Sequence, residues 1–180
     1  MSEAVKQQEA VRPEGWEIWH GDAYEVSSEV VRGFSRAVRD SSVPYGVRGI
    51  LPADTPIPIT LLAAPMFDAA SALVSRAIPN CNLSRIVHAA QQFTALAPLR
   101  IGQRISFGAR LVSHVIKANT DIIVIDVTAY AEGVPHLAAV ITLAHSATGG
   151  PEVDLDAVAD LIMLTGTGPS DSDAYTAVGD

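Results

Sequence analysis

Asp68 is the first residue of this chain to raise a chemical question. It is the only charge between Ile57 and Val74, a helix-like run rich in Leu, Ala and Pro. A carboxylate on so apolar a helix is costly to bury unless it is paired. Either it faces a partner, such as Arg76 or a second subunit, or it is kept for chemistry. Histidine titrates nearest to neutral pH, and the chain has five. His88 stands on a strand-like segment just behind that helix. Its first reading is a strand histidine satisfied by neighbours; its second is a catalytic base. His114, His136 and His145 fall on strand-like segments without metal-ligand spacing, so no metal is expected. Cys81 has no base beside it and reads as an ordinary free thiol. Gly149-Gly150 and the later Gly-Thr-Gly lack the strand-to-helix setting of a phosphate loop.

The elements that must position these groups come in a simple order. Residues 1–13 read as a flexible arm, 14–148 as one domain, and 149–180 as an acidic tail in which 154–164 can form a short helix. Ser27 or Ser28 can cap a helix running to about Arg39, with Val30, Phe34 and Val38 recurring every four residues. Residues 40–56 are loop. Pro58 fits the first turn of the apolar helix, and Pro65 should kink or break it. Four strands are expected after it: Arg85–Leu96, Gln103–Lys117, Asp121–Ala131 and His136–Ser146. The turns between them fall at Pro98–Gly102, Asn119 and Gly133–Pro135. In Asp121–Tyr130 both alternating sets are largely apolar, as in a strand covered on two sides. A short strand near Gly15–Trp19 is also expected.

Composition narrows the partners. With 180 residues and a net charge of −8, the chain suits one domain with a real core and argues against nucleic acid or an anionic membrane surface. One cysteine fits a reducing cytosol, and the polar N-terminus does not read as a secretory signal. Thr55–Val74 has the length of a membrane span, but Asp68, three prolines and missing positive flanks favour a helix enclosed by a sheet. Residues 69–120 carry Arg76, Arg85, Arg100, Arg104, Arg110 and Lys117 with no acid. That stretch is either a solvated strand face or a dock for phosphates or an acidic carrier protein.

Three patches together resemble a known family. These are Tyr24-Glu25-Val26 with its following helix, Pro58-Ile59-Thr60-Leu61, and the pair Arg85-Ile-Val-His-Ala-Ala-Gln-Gln-Phe and Pro98-Leu-Arg-Ile-Gly102-Gln. They are similar to the MaoC-like and FAS1-type dehydratase N-terminal domains of the hot-dog superfamily, most of all to HadA-type (3R)-hydroxyacyl-ACP dehydratase subunits. The resemblance implies an α+β hot-dog fold, a curved antiparallel sheet wrapped around one long helix. Gln103 stands where the family usually has Asp, and Ala97 where it often has Arg.

Active members of that family add or remove water on acyl thioesters, using an Asp and a His five residues apart as acid and base. Here Asp40 takes the Asp position and Tyr45 the His position, in a loop a few residues shorter than the resemblance implies. A phenol near pKa 10 is a poor base. The resemblance therefore implies an acyl-thioester-binding subunit with a broken dyad, its substrate on coenzyme A or phosphopantetheine and no separate cofactor. Its partner would be a second copy or a catalytic hot-dog subunit. Asp40, Tyr45 and His88 are the catalytic candidates; Pro58, Thr60, Leu61 and Asp68 are the substrate-binding ones. Leu61, Leu62, Phe67 and Leu73 are read as core or channel. Three alternatives stay open: a hydratase or dehydratase with a displaced site, a thioesterase using Asp68, and an acyl-binding scaffold without chemistry. The expected setting is the cytoplasm.

Overall fold

The computed structural model describes residues 13–46, 49–78, 81–117 and 120–146. The tail and its 154–164 segment, most of the N-terminal arm and the Asn119 turn lie outside them. Five antiparallel strands are present: β1 Ile18–Glu25, β2 Ile86–Ala95, β3 Arg104–Lys117, β4 Thr120–Ala131 and β5 Val134–Ser146. They lie in the order β1-β3-β4-β5-β2, so β2 is an edge strand. Helix α1 is Ser28–Ala37 and helix α2 is Ala63–Ala77, and α2 packs against β1, β3, β4 and β5. This is the expected α+β hot-dog arrangement.

Alternation builds the core. On β4, residues 121, 123, 125, 127, 129 and 131 are buried and those between are half-buried. Their inner side chains meet Ile105 and Phe107 of β3, Leu137, Ile141 and Leu143 of β5, and Met66, Ala69, Ala70, Leu73 and Val74 of α2 in one cluster. Small residues on α2 let the sheet close on it. Ile59–Ala77 is long and apolar enough by composition to cross a membrane; here its apolar side is the axis of that core.

Several boundaries shift, each for a physical reason. Ser27 caps α1 by accepting from the Val30 amide. The buried residues of α1 are Val31 and Ser35, with Val30 and Phe34 packed beside them, and Val38 is the exposed C-cap instead of part of the stripe. The helical run opens as a 3-10 turn, Ile59–Leu62, after Pro58. Pro65 falls in the first turn of the α-helix proper, where no amide bond is lost, so it marks a change of helix type instead of a kink. Pro135 belongs to β5, not to the turn: Glu132 and Gly133 alone make it, both with positive φ (52° and 78°), as a two-residue hairpin turn matched to strand twist requires.

Besides a slip between His20 and Tyr24 on β1, three single-residue irregularities redirect side chains within the sheet. The β3–β4 register slips at Val112, the β2–β5 register at Ala89, and the β4–β5 register at His136, each strand spending one extra residue.

Candidate functional site

Asp40 is placed by the end of α1. Arg39 takes a left-handed conformation (φ 58°), its amide bonds Arg36 O, and the Asp40 amide bonds Ser35 O at 2.7 Å. These two bonds form a Schellman closure with arginine where glycine is usual. Oδ1 of Asp40 then accepts from both the amide and the hydroxyl of Ser42. Those bonds, the hydroxyl first, hold the carboxyl below its ordinary value. Tyr45 lies in the 3-10 turn Val43–Gly46, and its hydroxyl donates to Pro56 O at 3.0 Å. Partial burial, then the nearby Asp40 carboxylate, pushes its phenol above the ordinary value.

Pro56 also lines a cavity of about 530 Å³. Its walls are residues 54–57 and 59, the end of β2 with residues 96–100, and His136 and Leu137 at the start of β5. The size is that of a small-molecule site, and so is the mostly apolar wall. Ile59, first residue of the helical run, stands in this wall, beside the first-turn amides that a helix leaves unbonded. Gln103 Oε1 accepts the Arg100 amide at 2.7 Å and so braces the turn between them. Exposed Arg100 is at the cavity's rim.

His136 is a residue that spacing alone gives no reason to select. The register slip turns it inward beside Leu137, leaving it 8% exposed. Its carbonyl accepts the amides of Leu96 and Ala97, and its Nδ1 bonds Pro98 O at 3.0 Å. A carbonyl only accepts, so Nδ1 carries the proton and in the neutral ring Nε2 is left as an acceptor.

The other candidates divide. His88 faces α2 and its ring lies 5.2 Å from that of Phe67, but it bonds neither Asp40 nor Tyr45. Asp68 is half-buried next to Phe67, with Oδ2 closed off from solvent. Thr60 is exposed, Leu61, Leu62 and Leu73 are core, and Pro58, Thr60, Leu61 and Asp68 all lie off the cavity wall. Gln91, on the inner face of β2, holds its Nε2 buried without a hydrogen-bond partner among the described residues. Two of the basic residues are engaged: Arg110 pairs with Asp126 at 2.9 Å, and Arg76 reaches toward Glu17 O at 3.5 Å.

A second cluster brings two of the strand histidines together. His114 and His145 both bind Asp121. His114 Nε2 is 2.7 Å from Oδ1 and His145 Nδ1 is 2.9 Å from Oδ2. The Asn82 amide donates to His145 Nε2, so that ring is neutral with its proton on Nδ1. The bonds to His145 and then His114 hold Asp121 below its ordinary value. Half-buried Cys81 is pushed up by burial and by Asp121, which keeps it a thiol. Neither this cluster nor any other among the described residues has three such side chains placed to hold a metal ion.

Residues 13–137 match the family model described as the FAS1-like dehydratase domain region. A UPF0336 protein of Streptomyces avermitilis is 30% identical over 125 residues, 67% of this chain and 83% of the relative. Among solved structures, the C-terminally truncated HadBC (3R-hydroxyacyl-ACP dehydratase) complex of Mycobacterium tuberculosis matches with TM-score 0.55 and 17% identity, over 72% of this chain and 93% of that one. The ChsH1-ChsH2 complex of the same organism matches with TM-score 0.54 and 14% identity, over 76% and 87%. At such identities the two structures speak for the fold alone.

Proposed function

The chain belongs to the FAS1-like dehydratase-region family, and from that premise we propose that it is an acyl-thioester-binding subunit whose partner supplies the acid–base pair. The observation that carries this reading is the state of Asp40 and Tyr45. Water addition to an enoyl thioester needs a base for the water and an acid for the α-carbon. Asp40, held down by Ser42, has no proton to give and is a weakened base. Tyr45, held up by burial and Asp40, keeps its proton and spends it on Pro56 O. Tyr45 standing where the family has His leaves this half of the site able to shape and bind, and unable to turn over alone.

The β2 edge, uncovered among the described residues, supports a partner. Val87 is 64% exposed, and Ile86–Ala95 carries no charged side chain. A strand edge without charge is a template for pairing. HadBC and ChsH1-ChsH2 are named as complexes of two chains; a heterodimer, or a second copy of this chain, would cover β2 in the same sense. Arg100 at the cavity rim suits a phosphate of the pantetheine arm, and a lone half-buried thiol suits the cytosol.

The test is hydration of 2-enoyl-CoA of short and long chain by the purified chain, alone and with a hot-dog partner that has the Asp–His loop. No turnover alone and turnover on mixing is the expected result. Robust hydration by the chain alone would overturn the reading and make Asp40, Tyr45 and His88 the first substitutions.

A further inference from the structure

The outer face of the sheet is covered by the chain's own residues at one end and open at the other. Near β1, Trp16 lies over Gly108, where an added Cβ would meet its ring at 2.4 Å, and the Arg110 guanidinium is 5.4 Å from that ring's centre. Toward the far end, register lines up an apolar row across four strands: Val87 of β2, Ala144 of β5, Ile122 of β4 and Val115 of β3. Val124 and Val140 follow in the next two rows. Val87, Val115 and Val140 are 64%, 57% and 41% exposed. With ordinary strand spacing and rise, this patch is about 14 Å wide and about 13 Å long.

Strand β5 ends at Ser146, in the row just beyond the apolar one, with exposed Lys117 in the same row. Residues 147–180 follow, outside the described residues, and their sequence fits the patch. Gly149-Gly150 permits a reversal of direction. Asp154 suits a helix N-cap, and Leu155, Val158, Ala159 and Ile162 recur at helical spacing. A helix over 154–164 would be about 16 Å long, the size of the patch. The link 147–153 reaches up to about 23 Å, enough to turn back over it. Charge agrees. The segment carries Glu152, Asp154, Asp156 and Asp160 and, like all of 147–180, no Lys or Arg. The carboxylate on the patch, Asp126, is already paired with Arg110.

We propose that residues 154–164 dock on this outer face as an amphipathic helix, with Leu155, Val158 and Ile162 against Val115, Ile122 and Val140. This goes beyond the subunit reading and does not rest on it. Docking removes apolar surface from water on both sides. So short a tether holds the segment at an effective concentration of about millimolar, which favours it over a second copy of the chain.

Hydrogen exchange read by mass spectrometry on the full chain tests this. A helix this short is marginal alone in water, so protection of 155–164 reports docking. The expected result is exchange roughly tenfold or more slower than in an unstructured peptide. Val115→Asp should abolish that protection while the β3–β4 amides stay protected. Leu155→Asp should abolish it too, and changes no residue of the core cluster, which guards against a folding defect in the first variant. Free exchange in the unsubstituted chain, or protection untouched by either substitution, would overturn the proposal. Val115→Cys combined with Ile162→Cys gives the second readout. Oxidation should join these two thiols within one molecule, as peptide mass mapping would show; a bridge between two molecules instead would overturn the proposal and give the face to a second copy.

Discussion

His136 and His145 lie on one strand and are both buried, yet they are held in opposite ways. His145 uses both ring nitrogens, one on a carboxylate and one under a backbone amide. His136 uses one, on a carbonyl, and turns the other to a cavity. Nine strand residues put about 30 Å between them, so the sheet has a closed polar end and an open one. A buried histidine with every lone pair and proton accounted for adds rigidity. One with a nitrogen to spare is poised to meet something else. Burial alone does not separate structural from functional histidines; the partner count does.

The largest test of that contrast is Asp121→Ala, which takes the partner from two imidazoles at once. It should lower the unfolding free energy by about 2–3 kcal/mol, read from the urea midpoint, and leave acyl binding unchanged. The same group sets a pH dependence. Asp121 is depressed in the fold, so as pH falls the unfolded chain takes up its proton first. Its stabilisation is therefore present above the ordinary value of 3.8 and lost as pH falls through the lower folded value. Asp121→Asn should flatten the acid limb of the stability–pH curve; an unchanged limb would mean the cluster carries no linked stability. At the open end the effect is smaller: His136→Asn, which keeps a donor for Pro98 O, should cost less than about 1 kcal/mol. Smallest of all is Gln91→Leu, which removes a buried donor that no acceptor among the described residues meets and should stabilise by about 0.5–1 kcal/mol. A simultaneous fall in acyl binding would move Gln91 from the passive core into the site.

Much of the fold is written in the periodicities. The two apolar sets of residues 121–130 predict a strand in the middle of the sheet, where β4 lies, and the apolar run after Pro58 predicts a helix that must be surrounded. The two histidine sites are hidden by single-residue bulges. On β3 the inner residues are odd as far as Leu111, and after Val112 they become even, which is how His114 arrives beside Asp121. Simple alternation would send its side chain outward. His136 belongs by alternation to the outer set with 138, 140 and 142, and only the slip before Leu137 turns it in. A bulge leaves little trace in residue type, so sequence places Asp121 and His145 on the inner face but cannot deliver their third member or the cavity histidine. Pro58, Thr60 and Leu61 are suggested by a motif at the helix start and Asp68 by its lone charge, whereas the wall of the cavity is made by the loop residues just before the helix, with Ile59.

The edge of β2, bare among the described residues, bears on how such a chain survives its own synthesis. Ile86–Ala95 is ten residues without a charge, a proline or a glycine, the composition that stacks readily with copies of itself. Until something covers it, each newly made molecule competes between productive pairing and insoluble association. Soluble yield should then depend on stoichiometry, rising when a fitting partner is made alongside and falling when the chain is made in excess.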